Sequence, residues 1–75
     1  MTLTEEQKAE VAEIESVAKA RVAEKELFLG EQIAKARAAG RFDEIAAIEK
    51  QLAGELRRIQ EECEEKKERV RRKAS

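Results

Sequence analysis

The sequence predicts an all-α protein, an antiparallel two-helix hairpin of the coiled-coil type. Three observations predict this fold: the chain has no proline, alanine and charged residues dominate its composition, and one short break separates two apolar stripes with helical spacing. Charged residues make up 44% of the 75 positions and aromatic residues only 3%. Because only 16 residues are Val, Ile, Leu or Phe, a small core and a single domain over residues 1–75 are expected.

The first helix is predicted to run from about residue 4 to about residue 39. Thr4 and Gln7 have the spacing of a capping box, in which each side chain binds the backbone N–H group of the other residue. The apolar stripe of this helix recurs at steps of three and four residues, at Val11, Ile14, Ala18, Val22, Lys25, Leu29, Ile33 and Ala36. Such spacing places the whole stripe on one side of a helix.

The turn is predicted over residues 40–43, which are Gly40, Arg41, Phe42 and Asp43. Gly40 suits the left-handed residue that follows a helix, because glycine has no Cβ atom to clash with the backbone. Asp43 suits the N-cap of the next helix, where its carboxylate would accept a hydrogen bond from a free N–H group.

The second helix is predicted to run from about residue 44 to about residue 73. Its stripe consists of Ile45, Ile48, Leu52, Leu56, Ile59, Cys63, Lys67, Val70 and Ala74. The steps repeat as 3-4-4 in both helices, which is an eleven-residue repeat with about 3.67 residues per turn. The helices are therefore expected to be straight or to supercoil slightly to the right.

Folding the chain at Gly40 brings the two stripes together along a seam. Residues whose numbers add up to 81 then face each other, so that Val22 faces Ile59. Lys25 and Lys67 interrupt the apolar series, and each can lay its aliphatic stem along the seam. The predicted hairpin core is Val11, Ile14, Val22, Leu29, Ile33, Ile45, Ile48, Leu52, Leu56, Ile59, Cys63 and Val70.

A second stripe of mostly small residues lies on the opposite side of the first helix. Gly30 and Gly54 lie within the predicted helices, where a glycine costs about 1 kcal/mol relative to alanine. The close approach of another helix would offset this cost. The predicted partner is a second copy of the chain, giving a dimeric four-helix bundle. The alternative is that alanine occupies these exposed helix positions only because it is the best helix former. The predicted partner interface is Ala9, Ala12, Ser16, Ala20, Ala23, Leu27, Phe28, Gly30, Ala34 and Gly54.

Composition excludes most catalytic chemistry. The chain has no histidine and one cysteine, so no histidine-based triad, cysteine-rich zinc site or internal disulfide is expected, and no cofactor is predicted. Cys63 is expected to be a small buried hydrophobic residue. A net charge of −1 argues against a nucleic-acid partner, and no apolar run approaches the roughly 18 residues of a membrane span. A cytoplasmic protein without enzymatic activity is expected.

The turn resembles a known family. The segment Ala36–Ile45 reads Ala-Arg-Ala-Ala-Gly-Arg-Phe-Asp-Glu-Ile and is followed by Ile48 and by Gln51-Leu52. It is similar to the rabenosyn-type Rab-binding helical hairpin, whose turn reads Ala-Lys-Ala-Ala-Gly-Arg-x-Asp-Glu-Val, with a leucine and an Asn-Leu pair after it. The resemblance spans roughly 25 residues and also includes Leu29 and Ile33. It implies a hairpin that lays both helices on the switch regions of a GTP-bound small GTPase.

Two further interpretations remain open. The run from Ile33 to Gly40 is similar to the Ile-Ala-x-Ala-Arg-x-x-Gly turn of bacterial transcript-cleavage factors of the Gre type. That resemblance implies a hairpin in a polymerase channel with Asp43 and Glu44 at its tip, although Arg41 stands where such factors carry an acidic residue that holds magnesium. The clean binary pattern also fits a designed hairpin. The favoured hypothesis is a self-associating scaffold or protein-interaction module.

Overall fold

A computed structural model describes residues 2–73, and it confirms the all-α helical hairpin. Helix α1 spans Glu5–Ala38 and helix α2 spans Phe42–Lys73. The two helices run side by side in opposite directions and give a rod of 55 × 15 × 10 Å. Ala74, which the eleven-residue repeat would also place on the seam, lies outside the described residues.

The beginning of α1 is fixed by the capping box that the sequence predicts. The Gln7 N–H group donates to the Thr4 hydroxyl oxygen at 3.1 Å, and the Thr4 N–H group donates to the Gln7 side-chain oxygen at 2.8 Å. Both bonds satisfy backbone donors that have no partner within the helix. Glu5 and Glu6 add negative charge to the first turn, where the helix dipole favours it.

The turn between the helices depends on Gly40. Its φ angle is +73°, a left-handed conformation that side chains with a Cβ atom rarely adopt. The Gly40 N–H group donates to the Arg37 carbonyl at 3.1 Å, and the Arg41 N–H group donates to the Ala36 carbonyl at 2.8 Å. This pair of hydrogen bonds is the Schellman motif, which ends α1 and reverses the chain.

Helix α2 begins two residues earlier than predicted, so the assignment of Asp43 as its N-cap is wrong. The helix starts at Phe42, and Asp43 and Glu44 lie in its first turn. The Glu44 N–H group donates to the Arg41 carbonyl at 3.1 Å. Arg41 is thus the residue that directly precedes the helix. Asp43 instead places its negative charge near the positive end of the helix dipole.

The seam between the helices contains the twelve residues of the predicted core. Leu29, Ile59, Cys63 and Val70 are buried, together with Ala36. The others are half-buried, because two helices alone cover only one side of each. These half-buried residues are Val11, Ile14, Val22, Ile33, Ile45, Ile48, Leu52 and Leu56.

Candidate interaction surfaces

The side of α1 that faces away from α2 carries a stripe of small residues. We call it the outer face of α1, and it consists of Ala9, Ala12, Ser16, Ala20, Ala23, Leu27 and Ala34, all of them exposed. Leu27 is the largest of them and is 68% exposed. Because Leu27 and the seam residue Leu29 are two positions apart, they point to opposite sides of the helix. Among residues 2–73, α2 approaches this face only at Ala23, which borders a cavity of about 230 Å³ together with Cys63 and Lys67.

The two glycines within the helices have no structural role inside the hairpin. A Cβ atom built on Gly30 or on Gly54 would meet no other group within 4 Å. Gly30 lies at one edge of the outer face of α1. Gly54 does not share that face: it is two residues beyond the seam residue Leu52 and so lies on the outer side of α2, at the other side of the molecule. The predicted interface is therefore not one continuous surface.

Phe28, also predicted at the interface, lies on the flank of α1 opposite to Gly30 and is 53% exposed. It borders a cavity of about 450 Å³ between the helices, above the seam residue Leu29. A second cavity of about 420 Å³ continues towards the turn, lined by Ala36, Ala47 and Ile48, and Gln32 borders both. We call these two cavities the turn-side groove. The groove is open to solvent, and charged or polar residues line it beside these apolar ones.

Within residues 2–73, three ion pairs link the helices and indicate their register. Arg21 and Glu62 approach to 2.7 Å, Lys25 and Glu55 to 3.1 Å, and Lys67 and Glu15 to 4.0 Å. In each pair the two residue numbers add up to within two of 81, the sum that the sequence predicts for residues that face each other. Lys25 and Lys67 thus behave as expected of lysines on a seam, with stems along the helix contact and ammonium groups bound to glutamates.

The ion pairs shift the pKa values of three side chains. The hydrogen bond from Arg21, reinforced by its charge, lowers the pKa of Glu62 below its ordinary value of 4.5. Lys67, 3.0 Å from Glu64, lowers the pKa of Glu64 in the same way. The bond to Glu64 raises the pKa of Lys67 above its ordinary value of 10.5, against a smaller opposing effect of desolvation.

These shifts predict how stability depends on pH. A carboxyl group with a lowered pKa in the folded state stabilises the fold above its unfolded pKa, so the contributions of Glu62 and Glu64 should be lost as the pH falls below about 4.5. Lys67 stabilises the fold below about 10.5, and its contribution should be lost at higher pH. We expect urea unfolding, followed by circular dichroism at 222 nm, to give a plateau of stability at neutral pH.

Glu62→Gln isolates one of these contributions. The variant should be less stable than the parent at pH 7 and should lose less stability on acidification to pH 3, because its side chain no longer titrates. Glu61→Gln is the matched control, since Glu61 forms no ion pair with any residue from 2 to 73. An equal acid-induced loss in the parent and in Glu62→Gln would contradict the assignment.

The described residues offer little else that bears on chemistry. Within residues 2–73, no group of three or more His, Cys, Asp or Glu side chains is placed to hold a metal ion. At the tip, the Glu44 carboxylate binds Arg41 at 3.0 Å. Cys63 is buried on the seam as a free thiol. In the same part of the chain, neither helix has an apolar stretch long enough to cross a membrane.

Comparison with known proteins adds no relative to this description. No family model matches the chain, and neither a curated protein nor a solved structure is significantly similar to it.

Proposed function

We propose that the chain is a non-catalytic helical-hairpin scaffold or interaction module that self-associates through the outer face of α1. The observation that carries the proposal is the outer face of α1, a stripe of exposed small residues together with Leu27 on the side away from the seam. A helix with apolar residues on two opposite sides is stable in water when both sides are covered. The hairpin covers only one of them.

The surface area of the hairpin supports a further contact. The chain exposes 5683 Å², whereas a compact protein of the same mass is expected to expose about 4650 Å². The excess of about 1000 Å² is similar to the roughly 800 Å² that each partner buries in a protein–protein interface of standard size. Contact with a single partner on one face would therefore reduce the exposed area of the chain to about that of a compact protein of the same mass.

The glycine at position 30 supports the proposal that this partner is a helix. Its cost in helix propensity, about 1 kcal/mol, is not offset by any contact inside the hairpin. Small residues such as Gly, Ala and Ser allow two helix backbones to approach closely. A helix of a second copy, which carries the same small residues, fits the outer face without a separate partner protein.

The direction of this face determines the shape of the proposed assembly. In a square four-helix bundle each helix contacts neighbours on adjacent sides, whereas the outer face of α1 lies opposite the seam with α2. Two copies joined here form a row in which the two α1 helices are central and the two α2 helices are outside. We therefore propose that the four-helix assembly expected from the sequence is a flat layer.

Gly30→Leu tests the proposal, because its two effects have opposite signs. The hairpin should become more stable by about 1 kcal/mol, since leucine is the better helix former and its Cβ atom meets no other group. Association should weaken at least about ten-fold, because the larger side chain holds the two α1 helices apart. Sedimentation equilibrium between about 5 and 500 µM measures the dissociation constant, and thermal unfolding measures stability.

Gly54→Leu is the matched control, since it makes the same change on the outer side of α2. It should raise stability and leave the dissociation constant unchanged. A parent protein that remains monomeric at the highest concentration would refute the proposal, as would a Gly30→Leu protein that associates as tightly as the parent.

A second candidate function rests on the turn-side groove. The groove lies between both helices beside the turn, in the region that resembles the rabenosyn-type hairpin, and Phe28 and Ile48 are among its apolar residues. A small GTPase in its GTP-bound form is the partner that this resemblance suggests. Capture by a panel of immobilised Rab GTPases, loaded with a GTP analogue or with GDP, tests it. Nucleotide-dependent capture that is lost in Phe28→Asp, a change at an exposed residue of the groove, would support this candidate over self-association alone.

The polymerase-channel interpretation finds less support. It requires Asp43 and Glu44 to be available at the tip of the hairpin for a magnesium ion. The Glu44 carboxylate is instead bound by Arg41. We do not propose this function.

A further inference from the structure

We propose that the open end of the hairpin is held closed by opposite charges on its two helices, so that ionic strength controls whether this end is open or closed. The open end is the end away from Gly40, and it consists of residues 5–15 of α1 and residues 66–73 of α2. The inference concerns the single hairpin and does not depend on self-association.

The two helix segments at the open end carry opposite net charges. Residues 5–15 contain five glutamates and one lysine, which gives a net charge of −4. Residues 66–73 contain six lysines or arginines and one glutamate, which gives a net charge of +5. Near the turn the facing segments are closer to neutral, with +1 over residues 28–38 and −2 over residues 43–53. The electrostatic attraction between the helices is therefore greatest at the open end.

The helix dipoles explain only part of this charge pattern. A dipole favours acidic residues in the first turn of its helix and basic residues in the last turn, and its effect falls off within that turn. Glu10, Glu13 and Glu15 lie beyond the first turn of α1. Lys66 and Lys67 likewise precede the last turn of α2. The charge of each segment thus extends along the other helix, farther than its own dipole acts.

On both flanks of the seam, an acidic residue of α1 and a basic residue of α2 border the same space. Glu13 and Lys66 border a cavity of about 120 Å³ on one flank. Glu15 and Lys67 border the cavity of about 230 Å³ on the other flank, and their charged groups are 4.0 Å apart. Packed helices have axes about 8–10 Å apart, which is well within the screening length of about 30 Å at 0.01 M salt. The two segments therefore attract each other at low ionic strength.

Apolar contacts are sparse at the open end. Its large apolar seam residues are Val11, Ile14 and Val70, and Lys67 occupies the seam position opposite Ile14. Farther along the hairpin, the ion pairs across the seam are direct contacts of 2.7 and 3.1 Å. Separated charges are screened by salt more than close, partly buried pairs are. Salt should therefore separate the helices at the open end and leave the rest of the seam closed.

Hydrogen exchange of the Val70 backbone amide measures the opening of this end. Val70 is 3% exposed in the closed hairpin. A helix end that has lost its partner is only marginally stable, so separation of the helices allows the amide to exchange. Exchange of Val70, followed by NMR at constant pH, should be at least about five-fold faster in about 1 M NaCl than in about 0.01 M NaCl. Leu52, on the seam near the turn, is the internal reference and should change little.

Charge reversal on α1 distinguishes attraction between the helices from effects within α2. With Glu10→Lys, Glu13→Lys and Glu15→Lys, residues 5–15 acquire a net charge of +2 and repel the basic segment. Salt should then slow the exchange of Val70 instead of accelerating it. The dipole of α2 and its own charged residues are the same in this variant as in the parent, so they would not reverse the effect of salt.

Glu24→Lys with Glu26→Lys and Glu31→Lys is the matched control, because it makes the same change in net charge on the same helix but outside the open end. In this protein the exchange of Val70 should keep the salt dependence of the parent. Replacing the three glutamates of the open end by glutamine should make the exchange rate nearly independent of salt, and this milder variant provides the test if the lysine variant does not fold.

Three results would overturn the inference. The first is exchange of Val70 in the parent protein that does not change with salt. The second is the same salt dependence in the parent and in the variants with lysine or glutamine at the open end. The third is a control protein in which the effect of salt on Val70 is also reversed, since the site of the charges would then be irrelevant.

Discussion

Ile59→Ala should unfold most of the protein at concentrations where the parent is folded. Ile59 is only 2% exposed, and the register places it opposite Val22 in the middle of the seam. Truncating a buried isoleucine to alanine removes apolar contacts and leaves a cavity, at a cost of about 2–5 kcal/mol. A chain of this size with few large apolar residues has a stability of about that magnitude. The variant should therefore show a large loss of ellipticity at 222 nm.

Phe42→Ala is the matched control for Ile59→Ala. It removes an even larger side chain from α2, but Phe42 is 66% exposed. Its cost should stay within about 0.5 kcal/mol, as for most surface substitutions. Urea unfolding curves for the three proteins give the comparison. If Ile59→Ala remained as stable as Phe42→Ala, the seam would not be the main source of stability of the hairpin.

Leu27→Asp should abolish self-association while leaving the hairpin folded. Leu27 is 68% exposed in the hairpin, so its loss removes little from the seam. In the proposed dimer it is the largest apolar side chain of the contact, and truncating such a side chain typically costs about 2 kcal/mol or more. The aspartate also brings two like charges into the interface. We expect the dissociation constant to rise at least about thirty-fold.

Sedimentation equilibrium and circular dichroism together check this result. The Leu27→Asp protein should sediment as a monomer at 100 µM and keep a far-ultraviolet spectrum close to that of the parent monomer. Phe42→Asp, on an equally exposed site at the start of α2, should not change the dissociation constant. An unchanged mass for Leu27→Asp would refute the outer face as an interface, and a collapse of helicity would show that Leu27 supports the hairpin itself.

The fold follows from the sequence because its main determinants are local. The capping box at Thr4 and Gln7 and the left-handed Gly40 each act within a few residues, so their effect is predictable without knowledge of the rest of the chain. The eleven-residue spacing of the apolar residues then gives both the seam and its register. The start of α2 is predicted two residues too late, because the sequence favours Asp43 as an N-cap, whereas the helix already starts at Phe42 and Asp43 lies in its first turn.

The candidate interface was only partly predictable. Spacing along α1 identifies a second apolar side, but whether residues of different helices share a surface depends on how the helices are rotated about each other. Gly54 illustrates this, since it resembles Gly30 in the sequence but lies on the other side of the molecule. We propose a flat layer for the dimer because the outer face of α1 lies opposite the seam, which the sequence alone does not reveal.

The Schellman turn at Gly40 also has a consequence for the path by which the chain folds. Along the seam, partners lie nine residues apart nearest the turn, at Ala36 and Ile45, and 59 apart at the far end, at Val11 and Val70. The entropy needed to close each loop grows with its length, so contacts next to the turn form first and shorten the loop for the next pair. Such local ordering is typical of fast folding. We expect the two helices to pair progressively outwards from Gly40, and the far end of the hairpin to separate first when the protein unfolds.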